Sequence, residues 1–166
     1  MNNLPERKPN RLKNFDYSSV NFYYVTLCAK NKKNYFGKIE NSQPVLNKIG
    51  RLLNETWLDL CNIFTGIELD VSVIMPNHFH GIIIFNSQPT YRQAGKPATL
   101  GQVVGALKSK TNVLARKTIF PNLTKLELWQ KTFYDRVIRN DQELLKVREY
   151  IQNNPLKWEL DEYYRM

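Results

Sequence analysis

The sequence predicts one α+β domain in which helices cover an antiparallel sheet. Segments rich in aromatic and β-branched residues alternate with amphipathic helical segments in the order βαββαβα. Only Pro76 and Asn77 separate the second and third strands, so these strands should form a hairpin. The chain of 166 residues, 42% of them hydrophobic, suits a single core spanning residues 1–166. This order predicts a ferredoxin-like βαββαβ sandwich with an additional C-terminal helix.

The first half of the chain contains a strand, a loop and a helix. Asn21–Ala29 (NFYYVTLCA) is dense in aromatic and β-branched residues, which is typical of a strand. Residues 31–47 carry turn residues, and we interpret them as a loop that can include a short hairpin. From Val45 to Cys61, hydrophobic residues recur at steps of three and four, as in an amphipathic helix.

The middle of the chain predicts the central hairpin of the sheet. Ile67–Met75 (IELDVSVIM) is the second strand, and His78–Phe85 (HFHGIIIF) is the third. The third strand is hydrophobic on both faces after Gly81, so we expect it in the centre of the sheet. A two-residue turn pairs Met75 with His78 and Val73 with His80.

The second half predicts a loop, two helices and a last strand. Residues 86–98 are polar with two prolines, which indicates a loop, and a helix begins near Thr99. Thr132–Arg139 (TFYDRVIR) predicts the fourth strand. The last helix follows, with Asn140 as N-cap and Glu143 at the capping-box position, and it ends at Asn154 because Pro155 follows.

The charge of the chain indicates a polyanionic partner. Lys and Arg number 24 against 15 Asp and Glu, for a net charge of +9, which suits DNA, RNA or an anionic membrane surface. Residues 1–16 form a basic arm without hydrophobic periodicity. No stretch has the ~20 apolar residues of a membrane span, and the start lacks the apolar segment of a signal peptide. Cys28 and Cys61 have no metal-ligand spacing, so we expect reduced cysteines and a cytoplasmic protein.

His78 and His80 are the two histidines of the chain, and they admit two interpretations. Residues i and i+2 of a strand point to the same face, so both imidazoles can reach one metal ion while Phe79 turns to the other face. Alternatively, they are polar aromatic residues near a strand end, hydrogen-bonded or solvated. A metal also needs a third ligand.

The last helix offers candidates for the remaining chemistry. Tyr150 and Asn154 are four residues apart and share one helical face. A tyrosine can act as a nucleophile, and an amide oxygen suits a hard divalent ion. The spacing equally fits an ordinary tyrosine and an ordinary helix end before proline.

The combination of motifs resembles a known family. The stretches VIMPNHFHGIII and LWQKTFYDRVIRNDQELLKVREYIQNNPLKWELD are similar to those of the single-strand DNA transposases of the tyrosine HUH class. The similarity is greatest to REP-associated tyrosine transposases and their insertion-sequence relatives, and it runs from about Asn10 to Asp161.

This resemblance implies a site and a reaction. It assigns His78, His80 and Asn154 to a divalent metal, Mg²⁺ or Mn²⁺, and Tyr150 to the nucleophile on a catalytic C-terminal helix. The implied activity is that of a metal-dependent single-stranded DNA endonuclease and strand-transferase, which forms a 5′-phosphotyrosine intermediate and a free 3′-OH. The implied partner is single-stranded DNA with hairpin-forming repeat ends. A monomer or homodimer in the nucleoid is expected.

Several basic residues are candidate contacts for DNA phosphates. They lie in the arm, on the second helix and beside the last helix: Arg11, Lys13, Lys108, Arg136 and Arg139. Each of these residues can equally be a solvated surface charge without a DNA contact. Trp129 fits a core anchor as well as a base-stacking platform.

Two rival functions use parts of the same pattern. One is a non-cleaving nucleic-acid-binding module, either a domesticated transposase or an RNA-binding ferredoxin-like domain. The RNA-recognition signature of alternating glycines and aromatics is absent from the sequence. The other is a metal hydrolase of small phosphodiesters, which needs neither Tyr150 nor the charge of +9.

Overall fold

The computed structural model describes residues 12–160, and the order of its main elements is the predicted one. The strands of this part of the chain are β1 (Phe22–Cys28), β2 (Gly37–Glu40), β3 (Gln43–Leu46), β4 (Phe64–Ile74), β5 (His78–Tyr91) and β6 (Tyr134–Ile138). The α-helices are α1 (Lys48–Leu58), α2 (Leu60–Ile63), α3 (Leu100–Thr118) and α4 (Asp141–Asn153). Short 3-10 segments span Lys30–Lys32 and Pro155–Leu160.

The main sheet has four strands in the order β4-β5-β1-β6, and all neighbours are antiparallel. Without the separate β2–β3 hairpin, this is the βαββαβ arrangement with a fourth helix appended, so the predicted ferredoxin-like fold is confirmed. The short hairpin that the loop prediction allowed is also present, with Gly37 opposite Leu46. The third predicted strand, β5, lies in the interior of the sheet as expected.

The sheet buries both of its faces, and β5 divides its side chains between them. Phe79, Ile83 and Phe85 point into the larger core under α1 and α3, where the rings of Phe79 and Trp57 lie 4.9 Å apart. Ile82 points to the opposite face, into a smaller core closed by Leu144 and Ile151 of α4. Because side chains alternate along a strand, His78 and His80 lie on the α4 face. Phe79 is therefore the core-facing spacer that the sequence predicted.

The hairpin register places the histidines as predicted. Val73 lies opposite His80, and the Met75 N–H donates to the His78 carbonyl at 2.8 Å. Further along, the register shifts between Leu69 and Ser72, which marks a β-bulge in β4. The bulge changes the direction of β4 beneath α4.

The predicted start of the first helix is wrong. The first helix begins at Lys48 rather than Val45, because the Asn47 side chain caps it by accepting from the backbone N–H groups of Ile49 and Gly50. Val45 and Leu46 belong to β3 instead. A single residue then separates α1 from the short α2.

The predicted loop of residues 86–98 is wrong over its first half, because β5 continues to Tyr91. This extension pairs with the start of β4, which begins at Phe64 rather than Ile67, across a register shift in which Gly66 faces residues 86–89 of β5. The rings of Phe64 and Tyr91 lie 4.6 Å apart and hold the extension together. Pairing with β1 reaches only to Ile84, so the extension has a neighbouring strand on one side only. An edge of this kind tolerates a proline such as Pro89, because no strand on the open side needs its missing N–H.

The ends of α4 follow the prediction with one difference. The Asn140 side chain accepts from the Glu143 N–H at 2.9 Å, and Asn154 is the C-cap before Pro155. The Glu143 carboxylate accepts from the N–H of Arg139, one residue before the N-cap, rather than from Asn140 itself. Among residues 12–160, no helix is both long enough and apolar enough to cross a membrane.

Candidate active site

The two histidines lie together beneath α4 and are almost completely buried. His78 exposes 0% of its surface and His80 1%, and their ring centroids are 4.6 Å apart. Two imidazoles in a hydrophobic environment lose hydration, which favours their neutral forms. The pair therefore has the form that a metal ligand requires.

Asn77 fixes the orientation of the His78 ring. Its side-chain NH₂ donates to the Lys32 carbonyl at 3.2 Å, so its Oδ1 is the atom that faces Nδ1 of His78, at 2.9 Å. Because Oδ1 can only accept, Nδ1 of His78 carries the proton and Nε2 carries the lone pair. A hydrogen bond of this kind on the remote nitrogen is the usual support of a metal-bound imidazole.

Two hydroxyl groups of β1 hold His80. The Nδ1 atom lies 2.8 Å from both Tyr24 Oη and Thr26 Oγ1, and the Tyr24 ring stacks on the imidazole at 5.5 Å. Burial lowers the pKa of His80 well below its ordinary value, and the positive charge of a protonated His78 would lower it further. His80 is therefore neutral at physiological pH, with Nδ1 engaged on the β1 side.

Tyr150 on α4 reaches this pair. Its ring centroid is 5.4 Å from that of His80 and 6.3 Å from that of Tyr24, both edge to face. In contrast to the histidines, Tyr150 is 46% exposed. It borders an open cavity of about 480 Å³ that Lys146 and Lys157 also line. The phenol thus lies between the buried imidazoles and a solvent-open cavity that carries two lysines and one glutamate, Glu149.

Asn154 lies one helical turn after Tyr150 and is 3% exposed. Its Oδ1 atom is shielded from solvent, as are the Nε2 atoms of both histidines. The Trp158 ring, one turn further, packs against His78 at 5.9 Å. Asn154 is thus bracketed by two residues, Tyr150 and Trp158, that each contact a histidine ring.

These residues fit the metal that the sequence implied. Within the described chain no cluster of three or more His, Cys, Asp or Glu side chains forms a metal site, so any third ligand has to be of another type. Two neutral imidazoles with a buried amide oxygen beside them make a mixed nitrogen and oxygen set, which suits Mn²⁺ or Mg²⁺. With the proton on Nδ1, His78 would offer its Nε2 lone pair to such an ion.

An ion pair attaches α4 to the sheet. The Arg148 guanidinium donates to Asp70 Oδ2 from Nε at 2.8 Å and from Nη2 at 2.7 Å. Asp70 belongs to the bulge of β4, and its side chain is only 14% exposed. Because Arg148 precedes Tyr150 by two residues, this contact sets the position of the helix that carries the tyrosine.

The candidate DNA contacts are in different environments. Lys13 and Arg139 are exposed, and Arg136 is exposed but paired with Glu143 at 2.5 Å. Lys108 does not lie free on α3, since its ammonium donates to the carbonyls of Gln130 and Lys131. Arg11 and most of the basic arm lie outside the described residues.

Several residues of the site had no signal in the sequence. Tyr24 and Thr26 reach His80 only through the pairing of β1 with β5, and Asp70 reaches Arg148 only through the bulge. Asn77 could have been noticed as a polar residue directly before a histidine. Its position in a tight turn was, however, a sufficient explanation for an asparagine there. Trp158 follows the helix-ending proline, where a buried contact was not expected.

The fold and the site define a class of protein, with a ferredoxin-like sheet, a histidine pair on an interior strand and a tyrosine on a helix above it. Residues 18–154 match the family model for IS200-like transposases, and the chain therefore belongs to this family of enzymes that act on DNA. The family expected from the sequence motifs is confirmed.

Individual relatives agree with this family. An uncharacterised protein of Haemophilus influenzae is 36% identical over 174 residues, covering 97% of this chain and 94% of that protein. The structure of a REP-associated tyrosine transposase bound to a REP hairpin is similar with a TM-score of 0.61 and 16% identity, over 89% of this chain and 73% of that one. A protein of Deinococcus radiodurans R1, provisionally assigned as a transposase, is similar with a TM-score of 0.50 and 17% identity, over 86% and 97%. At these identities the two structures support the fold.

Proposed function

We propose that the protein is a metal-dependent endonuclease and strand-transferase of single-stranded DNA, with Tyr150 as its nucleophile. The observation that carries the proposal is the contact between Tyr150 and His80. The exposed Tyr150 ring lies 5.4 Å, ring to ring, from the buried His80 imidazole and borders an open cavity that two lysines and Glu149 also line. A small-phosphodiester hydrolase would not need the tyrosine, because water would serve as its nucleophile.

In the proposed reaction the Tyr150 oxygen attacks the scissile phosphorus. The new P–O bond joins the tyrosine to the 5′ side, and the bond from phosphorus to the 3′ oxygen breaks. The phenol proton is lost to solvent, and the leaving oxygen takes up a proton to become a 3′-OH. The 3′-OH of a second strand then attacks the phosphotyrosine, rejoins the DNA and releases Tyr150. The phosphodiester bond energy is conserved in the intermediate, so no nucleotide cofactor is needed.

The protein side chains prepare both reactants. His78, His80 and Asn154 would hold the divalent ion, which when bound withdraws charge from a phosphate oxygen and orients the leaving oxygen. Asn77 and the pair Tyr24 and Thr26 orient the two imidazoles. Lys146 and Lys157 at the cavity attract the phosphate backbone.

The substrate is single-stranded DNA next to a hairpin, by analogy with the relative whose structure holds a REP hairpin. Tyr150 and both histidines of one chain meet in one site. One chain can therefore supply all the proposed site residues, which favours a monomer as the active form over a dimer with shared sites.

The test is a covalent-adduct assay. We expect that the protein, incubated with Mn²⁺ and labelled single-stranded DNA that carries hairpin repeats, gives a protein–DNA adduct on a denaturing gel. EDTA abolishes the adduct, and so does Tyr150→Phe. The matched control is Tyr134→Phe, because Tyr134 is exposed to a similar extent, 48% against 46%, and should leave the adduct unchanged.

Two results would contradict the proposal. If Tyr150→Phe forms the adduct as well as the parent protein does, another residue is the nucleophile. If the protein binds the DNA but gives no adduct on any hairpin substrate, the non-cleaving binding module is the better description.

A further inference from the structure

A second polar cavity lies at the edge of the sheet near the histidines. Its volume is about 510 Å³, within the range of small-ligand sites. Lys30, Lys108, Asn112, Trp129, Gln130 and Lys131 contribute to its lining. None of these residues belongs to the site around Tyr150.

The cavity is connected to that site through the backbone. His78 lies opposite Cys28 in β1, and the Gln130 N–H donates to the Cys28 carbonyl at 2.9 Å. His78, Cys28 and Gln130 are therefore neighbours across three adjacent chain segments. With segments about 4.8 Å apart, the Gln130 backbone lies roughly 10 Å from that of His78. A strand held at the histidines can reach the cavity within a few nucleotides.

Trp129 lines the cavity and carries a hydrogen-bond donor that the rest of the described chain does not use. Its ring is 6% exposed and packs on Phe36 with centroids 4.8 Å apart, so the residue is a core anchor. Its Nε1 donor is buried, and no acceptor within residues 12–160 satisfies it. A buried N–H without an acceptor destabilises the fold, and a ligand that supplies an acceptor removes that cost.

The other groups at the cavity also favour an anionic ligand with polar edges. Asn112 uses Oδ1 to accept from the Leu128 N–H, so the group it can offer is its NH₂. Lys131 is exposed, while Glu127 opposite is neutralised by ion pairs with Lys30 and Lys125. The cavity thus presents donors from Trp129 and Asn112 beside an excess of positive charge.

We propose that this cavity binds one nucleotide of the single-stranded DNA that flanks the scissile phosphate. The base is held by the Trp129 and Asn112 donors and by the Gln130 amide, and its phosphate lies near Lys131. Lys108 has a structural part, since its ammonium holds the carbonyls of Gln130 and Lys131 and so shapes the wall. The inference rests on the proposed function, because it places the nucleotide on the strand that Tyr150 cleaves.

The experiment uses the full chain with Tyr150→Phe, so that DNA binds without being cut. Mixed-sequence single-stranded DNA with 5-iododeoxyuridine in place of thymidine is bound, irradiated and digested with trypsin. We expect a cross-link in the peptide Leu126–Lys131 (LELWQK), which contains Trp129. Cross-links confined to other peptides would overturn the proposal.

Affinity measurements provide a second criterion. Trp129→Phe removes the N–H and retains a ring against Phe36, and we expect about fivefold weaker binding by fluorescence anisotropy, the effect of one lost hydrogen bond. Lys131→Gln should weaken binding to a similar extent. The controls are Trp57→Phe, a buried tryptophan of the same core that packs on Phe79 and does not line the cavity, and Lys48→Gln at the start of α1. Thermal unfolding of each variant measures any loss of fold.

The two proposals fail in different ways. Unchanged affinity in Trp129→Phe and Lys131→Gln, with a normal adduct when Tyr150 is intact, refutes the nucleotide cavity and leaves the cleavage function standing. Weaker binding in both variants, with no adduct from the parent protein, supports the cavity and refutes cleavage.

Discussion

At the scale of single residues, the surroundings of His78 and His80 determine the protonation of the site. Each Nδ1 atom is engaged by a neighbouring side chain, Asn77 in one case and two β1 hydroxyls in the other. Burial removes the hydration that a protonated imidazole needs. Burial therefore favours the neutral form of His80, which is the form of an imidazole that binds metal, at the cost of stability in acid.

This burial predicts a pH dependence of folding. The pKa of His80 is lower in the folded state than its ordinary value of 6.5, so the unfolded chain binds the proton more tightly. Its contribution to the free energy of unfolding is complete above that pH and falls as the pH decreases. The loss between pH 7.5 and 5.5 is about 1.4 kcal/mol for one histidine that remains neutral when folded.

The measurement is urea unfolding in EDTA at the two pH values. His80→Asn is the comparison, because its amide can replace Nδ1 in the hydrogen bonds to Tyr24 and Thr26 but does not titrate. Glu127, with a pKa of about 2, lies outside this pH window. An equal loss of stability in His80→Asn would show that the dependence arises elsewhere.

At the scale of elements, the position of α4 decides whether Tyr150 meets the histidines. Leu144 and Ile151 seat the helix on the sheet through hydrophobic contact. Such contact lacks direction, whereas the two hydrogen bonds from Arg148 to Asp70 are directional. The bulge of β4 brings Asp70 to the helix, so an irregularity in an edge strand determines the geometry of the site.

We predict that Arg148 and Asp70 act as a pair in aligning Tyr150. Arg148→Met and Asp70→Asn should each slow adduct formation about fivefold at saturating DNA and Mn²⁺, and the double variant should be no slower. This corresponds to a coupling of roughly 1 kcal/mol, modest because Arg148 is 37% exposed on its side chain. Adduct formation in single-turnover time courses is the measurement.

Arg136→Met is the matched control for this pair. Its guanidinium also forms an ion pair with a carboxylate, that of Glu143 in the first turn of α4, but this contact does not join α4 to β4. It should leave the rate nearly unchanged. Purely additive effects of Arg148→Met and Asp70→Asn would exclude a joint action on the tyrosine.

Local periodicity explains which parts of this arrangement could be predicted from sequence. The shared face of His78 and His80 follows from the alternation of a strand, and that of Tyr150 and Asn154 from the helical repeat. The hairpin register follows from a turn of two residues. These relations are fixed within a few residues of chain, so tertiary structure does not alter them.

The relations that could not be predicted depend on residues distant in sequence. Thr26 lies opposite His80 because β1 pairs with β5 in the sheet. The register of that pairing is fixed by the packing of the whole core. The continuation of β5 to Tyr91 depends on a bulge in which residues 86–89 face Gly66 of another strand. Sequence periodicity is interrupted at a bulge, and so the pattern of polar residues after Phe85 indicated a loop.

At the scale of the whole molecule, the basic residues behind the net charge of +9 are in different environments. Within residues 12–160, six basic residues lie in ion pairs with carboxylates: Lys30, Lys38, Lys110, Lys125, Arg136 and Arg148. Lys146 and Lys157 instead line the cavity beside Tyr150. Positive charge next to Tyr150, the proposed nucleophile, would attract a phosphate backbone whatever its sequence.

The salt dependence of DNA binding should report this distribution of charge. Each phosphate of single-stranded DNA neutralised by a basic residue contributes about −0.7 to the slope of log K against log salt concentration. We predict that Lys146→Gln combined with Lys157→Gln makes the slope less steep by about 1.4 in the Tyr150→Phe protein. Lys48→Gln with Lys117→Gln, at the start of α1 and the end of α3, removes equal charge from the helices on the other face of the sheet and should leave the slope nearly unchanged. Anisotropy titrations at several salt concentrations measure both slopes, and equal changes in the two double variants would mean that the DNA follows the overall charge rather than the cavity beside Tyr150.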